Sequence, residues 1–269
     1  MPAHSPHFID EAAVRRLLSV AECIGSVEEA LAGYSAGRAV MPVRLVSQLP
    51  LEEGKIGVLS TMPCYMGDYC ACKTITVFPG NAGTELSSHQ GAVLLFSVAD
   101  GRLLSITDGH ELTLIRTAAA SALATRLLAN PSPPEGCTLC MLGTGDQVLM
   151  HLAAIQAVRP VGKVNIWGRN PERAEQRAAE IAAIGPTAPP VEVFRNAQEA
   201  VADADIVCTL TPATEPILKG SWLKPGAHIN AVGCCTPRER ELDLEAVTRS
   251  RLYVDTRAAC VKEPGDLVV

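Results

Sequence analysis

Two hydrophobic periods divide the first half of the chain. Near the start, apolar residues recur at helical spacing. Asp10 is placed to cap a helix carrying Val14, Leu17 and Leu18 on one face, and Ser26 to Ser35 repeats the pattern through Val27, Ala30, Leu31 and Tyr34. From Val40 the period shortens. VRLVSQL (43–49), KIGVLSTM (55–62), CKTITVF (72–78), GAVLLFSV (91–98) and GRLLSITD (101–108) are β-rich runs parted by Gly, Pro and Asp turns. Strands that follow one another without helices between them predict antiparallel pairing. The segment 112–128, LTLIRTAAASALATRLL, then predicts a long alanine-rich helix. NPSPPEG at 130–136 breaks the pattern and predicts a boundary between a domain at 1–130 and another at 131–269.

Beyond that break, strands and helices alternate. Runs at 137–142, 163–167, 191–194, 206–210, 227–232 and 252–255 (LYVD) predict strands. Helices are predicted at 146–158, from Asn170-Pro171 to Ile184, and at 196–202, with Pro171 at a first helical position. Alternation through short loops predicts an α/β fold. Its second domain is a Rossmann-type doubly wound parallel sheet, and the first is an α+β domain.

The first strand of that alternation ends in Gly143-Thr144-Gly145, and a helix follows at once. A strand, a glycine turn and a helix start bind a dinucleotide pyrophosphate, because backbone N–H groups and the helix N-terminus face the phosphates. Val148 stands where a small residue is usual. NAD sites place a carboxylate at the end of the next strand to hold the ribose 2′-hydroxyl. This chain has Gly168-Arg169-Asn170 there, with Arg173 one turn on, a set suited to a 2′-phosphate and therefore to NADPH.

Composition narrows the partners. The 269 residues carry a net charge of −6, which argues against nucleic acid, since phosphate neutralisation needs clustered Lys and Arg. No apolar stretch approaches the ~20 residues a membrane span requires, and the first residues contain no apolar signal-peptide core. Ten cysteines, most of them in apolar runs, suit a reduced cytoplasmic setting, and Cys70/Cys72 and Cys137/Cys140 lack the second pair of a metal site. Against this acidic background three cations stand in strand or helix contexts of the first domain: Arg44 in MPVRLV, Lys73 in ACKTITV and Arg116 in LTLIRTAAA. Together they would suit a substrate carboxylate. His89, in SSHQG, lies at a strand entrance.

MPVR, the lysine-bearing strand, SSHQG, IRTAAASA, LGTGDQ, IWGRN, TPATEPIL and KPGAHINAVG occur here in the order in which the ornithine cyclodeaminase/mu-crystallin family carries them. The chain resembles that family from about its first helix to Val269, on the mu-crystallin (ketimine reductase) side. The resemblance implies a homodimer whose first domain binds substrate and dimerises. It places Arg44, Lys73 and Arg116 on the carboxylate of the substrate, a cyclic imine of the piperideine-2-carboxylate or pyrroline-2-carboxylate type. Lys73 is the candidate proton donor. The cofactor positions implied are Ser88, His89, Arg116, Thr117, Thr144, Gly145, Asp146, Gln147, Gly168, Arg169, Asn170, Arg173, Thr209, Leu210, Thr211 and Val232. Thyroid-hormone binding in the same cationic pocket, regulated by NADPH, is a further implication.

The chain departs from the family in two places. Ornithine cyclodeaminases carry an aspartate where this chain has Cys235, which favours a reductase over amine elimination. The chain also stops at GDLVV, where family members continue with a segment that returns to the first domain. Alanine dehydrogenase and ornithine cyclodeaminase activities stand as alternatives, as does a non-catalytic NADPH-dependent hormone binder.

Overall fold

The computed structural model describes residues 5–52, 56–81 and 84–268. Lys55 of the predicted KIGVLSTM strand and Val269 of the closing GDLVV lie outside them. The chain divides into two compact units, Met1–Arg116 and Thr117–Val269.

In the first unit, β1 (His7–Ile9) leads into α1 (Glu11–Leu17), whose N-cap Asp10 accepts from Ala13 N at 2.8 Å. The second helix, α2 (Val20–Ser35), begins six residues before the predicted Ser26. The reason is a capping box. Glu22 N donates to the Ser19 hydroxyl at 3.2 Å, and the Glu22 carboxylate accepts from Ser19 N at 3.1 Å. Ser26 is an interior residue that donates back to the Glu22 carbonyl.

Strands β2 (Ala39–Val40), β3 (Leu45–Pro50), β4 (Ile56–Met66), β5 (Tyr69–Val77), β6 (His89–Ser97) and β7 (Leu103–Asp108) follow. The sheet runs β1-β7-β6-β5-β4-β2, with β3 also on β4. Pairing is antiparallel as predicted, except that β1 lies parallel to β7, an edge the short HFI segment did not announce. Helix α3 (Gly109–Leu128) starts directly from β7, with Asp108 accepting from Glu111 N at 2.8 Å.

The division between units falls inside α3, earlier than the proline-rich segment at 130–136. Hydrogen bonds explain the difference. The Ser121 hydroxyl meets His151 Nε2 at 3.0 Å, and Asn230 Nδ2 donates to Thr125 Oγ1 at 3.0 Å, so the second half of α3 is built into the second unit. Ala118, Ala119, Ala122 and Thr125 are fully buried there. Small side chains let a helix approach its neighbours closely, which accounts for the alanine-rich run.

The second unit continues with β8 (Cys137–Leu142), α4 (Gln147–Gln156), β9 (Val161–Trp167), α5 (Pro171–Ala182), β10 (Val191–Phe194), α6 (Ala197–Val201), β11 (Ile206–Thr209), β12 (His228–Ala231), α7 (Leu244–Arg249) and α8 (Arg257–Cys260). Its sheet is wholly parallel in the order β10-β9-β8-β11-β12, the doubly wound order that reverses between β8 and β11. Leu139 to Leu142 of the central strand are fully enclosed, as a strand covered on both faces must be. The predicted strand at 252–255 is a correction: LYVD is exposed and irregular, with no ladder partner. Val148, the large residue after the glycine turn, is itself fully buried. Among the described residues no helix is long and apolar enough to cross a membrane, and all ten cysteines are unpaired thiols.

Two outcomes test this packing. Ser19→Ala should cost about 1 kcal/mol through loss of the α2 cap, read as a lowered urea midpoint. His151 is enclosed in α4, where Nδ1 meets the Gln147 carbonyl at 2.9 Å, and burial lowers its pKa to about 4. Its folded pKa lies below the unfolded value near 6.5. The stabilisation is therefore complete above pH 6.5 and is lost as pH falls towards 4, by about 3 kcal/mol at most. Urea titrations at pH 7, 5.5 and 4.5 should show this loss in the wild type and a shallower one in His151→Gln. Equal slopes would mean that His151 is not buried neutral.

Candidate nucleotide and substrate site

The glycine turn sits where the sheet order reverses. Gly143 adopts φ +137°, and a Cβ there would lie 2.8 Å from the Leu210 carbonyl oxygen. Only glycine fits, because Leu210 N donates to the Leu142 carbonyl at 2.8 Å and draws the two strand ends together. Above Gly145 nothing lies within 4 Å of a built Cβ, which leaves open space at the start of α4. Asp146 is the N-cap but makes no side-chain capping bond; Val148 N donates to the Gly145 carbonyl at 3.1 Å, and no side chain caps the positive end of the helix, an arrangement that suits an anion.

Five buried side-chain atoms among the described residues of this unit lack partners: Ser132 Oγ, Arg159 Nε, Asn165 Oδ1, Gln147 Oε1 and Thr117 Oγ1. The last two are cofactor positions implied by the resemblance. A buried polar group without a partner costs about 1–3 kcal/mol, and a bound ligand that reaches it removes the penalty. The open space over Gly145, the uncapped helix start and the orphaned Gln147 Oε1 on its first residue together fit a dinucleotide pyrophosphate.

Asn170 is fixed by its local role. Its side chain accepts from Glu172 N at 3.0 Å and Arg173 N at 3.3 Å and starts α5, with Pro171 as the first helical residue. Gly168 is buried, and a Cβ on it would press on Thr144 Cγ2 at 2.5 Å, so the end of β9 packs directly on the turn. Arg169 and Arg173 are exposed beside it. The sequence reading missed Arg177, one turn farther along α5. Its guanidinium donates to the Thr144 carbonyl at 3.2 Å and lies 3.5 Å from the Asp146 carboxylate. A helix arginine gives no signal in sequence that it reaches a neighbouring loop.

On the other side of the reversal point, Thr209 and Thr211 turn their hydroxyls inward. Both donate to Glu241, at 2.7 Å each, and Thr211 N donates to the same carboxylate at 2.6 Å. Gly233 N, just past Val232, adds a fourth bond at 2.8 Å. The two threonine side chains therefore shape the turn from within, while Leu210 and Val232 are half-buried around it. Glu241 was also missed, since RERELD reads as a solvated charge run. Cys235 is exposed, and its N–H and that of Thr236 donate to Glu239 at 2.7 and 2.9 Å.

In the first unit, Lys73 lies mid-strand in β5, opposite Met62 on β4 and Val93 on β6. Arg44 immediately precedes the first paired residue of β3, Leu45 opposite Thr61. Arg44 and Lys73 are both half-buried. Extended by one residue, the β3–β4 register would put Arg44 on the cross-strand row of Met62 and Lys73. Arg116 is exposed on α3, and its charge favours the thiolate of Cys23 in α2, against the burial that raises that thiol's pKa. Ser88 meets His89 Nδ1 at 3.2 Å at the entrance of β6, and Ser87, not singled out by sequence, meets His110 Nδ1 at 3.2 Å.

Known proteins resemble this chain over most of its length. Ketimine reductase mu-crystallin of Mus musculus is 41% identical over 271 residues, covering 98% of this chain and 83% of its own length. A Delta(1)-pyrroline-2-carboxylate reductase of Bacillus cereus is 33% identical over 95% of this chain and 77% of its own. Among solved structures, Thermococcus litoralis Delta(1)-pyrroline-2-carboxylate reductase in complex with NADH and L-proline superposes with a TM-score of 0.89 at 32% identity, covering 97% of this chain and 79% of that one. The profile of the ornithine cyclodeaminase/mu-crystallin family matches residues 5–269. With that match and these relatives, the chain belongs to the ornithine cyclodeaminase/mu-crystallin family.

Proposed function

We propose that this chain is an NADPH-dependent oxidoreductase that reduces the C=N bond of cyclic ketimines of the piperideine-2-carboxylate or pyrroline-2-carboxylate type. The observation that carries the reading is the glycine turn at the reversal point of the parallel sheet, joined at the end of β9 by Gly168-Arg169 in place of a carboxylate. The named reductases among its relatives support the reaction class. In this reading Thr144, Gly145, Asp146 and Gln147 hold the pyrophosphate, and Arg169 with Arg173 holds the 2′-phosphate. When bound, the reduced nicotinamide supplies the hydride for the C=N bond. Arg44, Lys73 and Arg116 hold the substrate carboxylate and so orient the imine, which recovers much of the entropic cost of reaction. Lys73 supplies a proton to the imine nitrogen.

Cys235 at the position of the cyclodeaminase aspartate supports reduction over amine elimination. The three cations would equally accept the amino-acid carboxylate of a thyroid hormone, which would then compete with substrate. Exposed apolar residues at one end of the first sheet, among them Leu45 (67%), Val46 (48%) and Val40 (57%), support a homodimer through that end. Ten free thiols support a reducing, cytoplasmic location.

The direct test is NADPH oxidation at 340 nm with piperideine-2-carboxylate, set against pyruvate plus ammonia and against ornithine with NAD. Turnover with the cyclic imine alone is expected. Ammonia release from ornithine would overturn the reading, and tight hormone binding without turnover would replace it with a binding function. Arg169→Ala should weaken NADPH by about 1.5–3 kcal/mol while NADH affinity stays near the wild-type value. Equal losses would remove Arg169 from the 2′-phosphate. Lys73→Ala should abolish imine reduction and leave the fluorescence-detected affinity for NADPH nearly unchanged; a collapse of that affinity would place Lys73 in a structural role.

A further inference from the structure

The Glu241 side chain has no exposed surface, and it is an acid whose partners are all neutral. One carboxylate oxygen accepts from the backbone and the hydroxyl of Thr211; the other accepts from the Thr209 hydroxyl and from Gly233 N. These donors come from two separate segments, the turn after β11 and the turn after β12. The backbone of Glu241 is held as firmly. Its N–H and that of Leu242 both donate to the buried Asp266, at 2.8 and 2.9 Å, and its carbonyl accepts from Ile217 and Leu218.

A loop tie alone does not call for this residue. Burying a carboxylate without a counter-cation is costly, and burial pushes the Glu241 pKa up against the four donors that favour the ion. Neutral side chains could join two turns at lower cost. Groups retained at such expense concentrate where geometry serves binding or chemistry. The two turns also have nowhere else to go. A Cβ at Gly233 would overlap the Thr211 backbone, and Leu210, between the two threonines, is the residue against which Gly143 packs. Glu241 therefore fixes the wall of the crevice across from the phosphate turn.

We propose that Glu241 is a positioning residue: by clamping the turns at Thr209–Thr211 and Gly233, it sets the part of the crevice that receives the nicotinamide half of the cofactor. This rests on the dinucleotide reading above and adds a division of labour to it. The adenosine half depends on Thr144 to Gln147 and Arg169; the nicotinamide half depends on a carboxylate that touches neither cofactor nor substrate.

The test compares whole cofactors with their nicotinamide-free counterparts: NADPH against 2′-phospho-ADP-ribose, and NADH against ADP-ribose, by calorimetry on the full chain. Glu241→Gln keeps the size of the side chain but turns one acceptor into a donor that faces two other donors. It is expected to bind the nicotinamide-free ligands within about twofold of wild type and the whole cofactors at least tenfold more weakly. The kcat for the imine should fall while its KM stays within about threefold. Should that variant fail to fold, Thr211→Val, which removes one donor, is expected to give the same split with a smaller amplitude. Equal weakening of whole and truncated ligands, or unchanged affinity for both, would overturn the proposal. Absence of imine turnover by the wild type would count against the reductase reading alone, because the binding comparison does not depend on it.

Discussion

The close approach of β8 and β11 at their C-terminal ends is the constraint on which the second unit depends. Leu210 N bonds to the Leu142 carbonyl, yet the chain must leave the sheet at both places and in different directions. Any side chain at 143 would collide with Leu210. Glycine is the only solution, and with it come a tight turn, an open space over Gly145, and a helix that begins without a side-chain cap. Arg177 then supports the turn from α5 through the Thr144 carbonyl, and Glu241 supports the opposite wall. The crevice is held from both sides by charged groups of opposite sign.

The two units contribute different chemistry. The second offers backbone dipoles and a cation where a carboxylate is usual, which is anion recognition by fixed geometry. The first offers side-chain cations on or beside a sheet: Lys73 within β5 and Arg44 just ahead of β3, segments that antiparallel pairing with β4 brings near each other.

Much of this was legible in the sequence because periodicity and punctuation carry local information. The alternation after residue 136, the Asn170-Pro171 helix start and the five successive strands from β3 to β7 all follow from spacing and turn chemistry. What escaped depended on distant partners. The α2 start needed recognition of Ser19-x-x-Glu22 as a capping box, a signal that was present. The short β1 exists only because β7 offers an edge. LYVD has the composition of a strand and no neighbour to pair with. The unit boundary moved into α3 because Ser121 and Thr125 bond to His151 and Asn230, contacts no local pattern announces. Arg177 and Glu241 look like surface charges in sequence, and only the fold turns them inward.

The central claim is that the dinucleotide lies on the Gly143–Gln147 turn while the substrate carboxylate is held by cations of the first unit. A crystal structure of the chain with NADPH and the planar analogue pyrrole-2-carboxylate tests it most directly. The account expects the pyrophosphate on the N–H groups at the start of α4, the 2′-phosphate on Arg169, and the carboxylate within hydrogen-bond reach of Arg44 and Lys73. A carboxylate bound away from both cations, or a dinucleotide seated anywhere other than this turn, would contradict it.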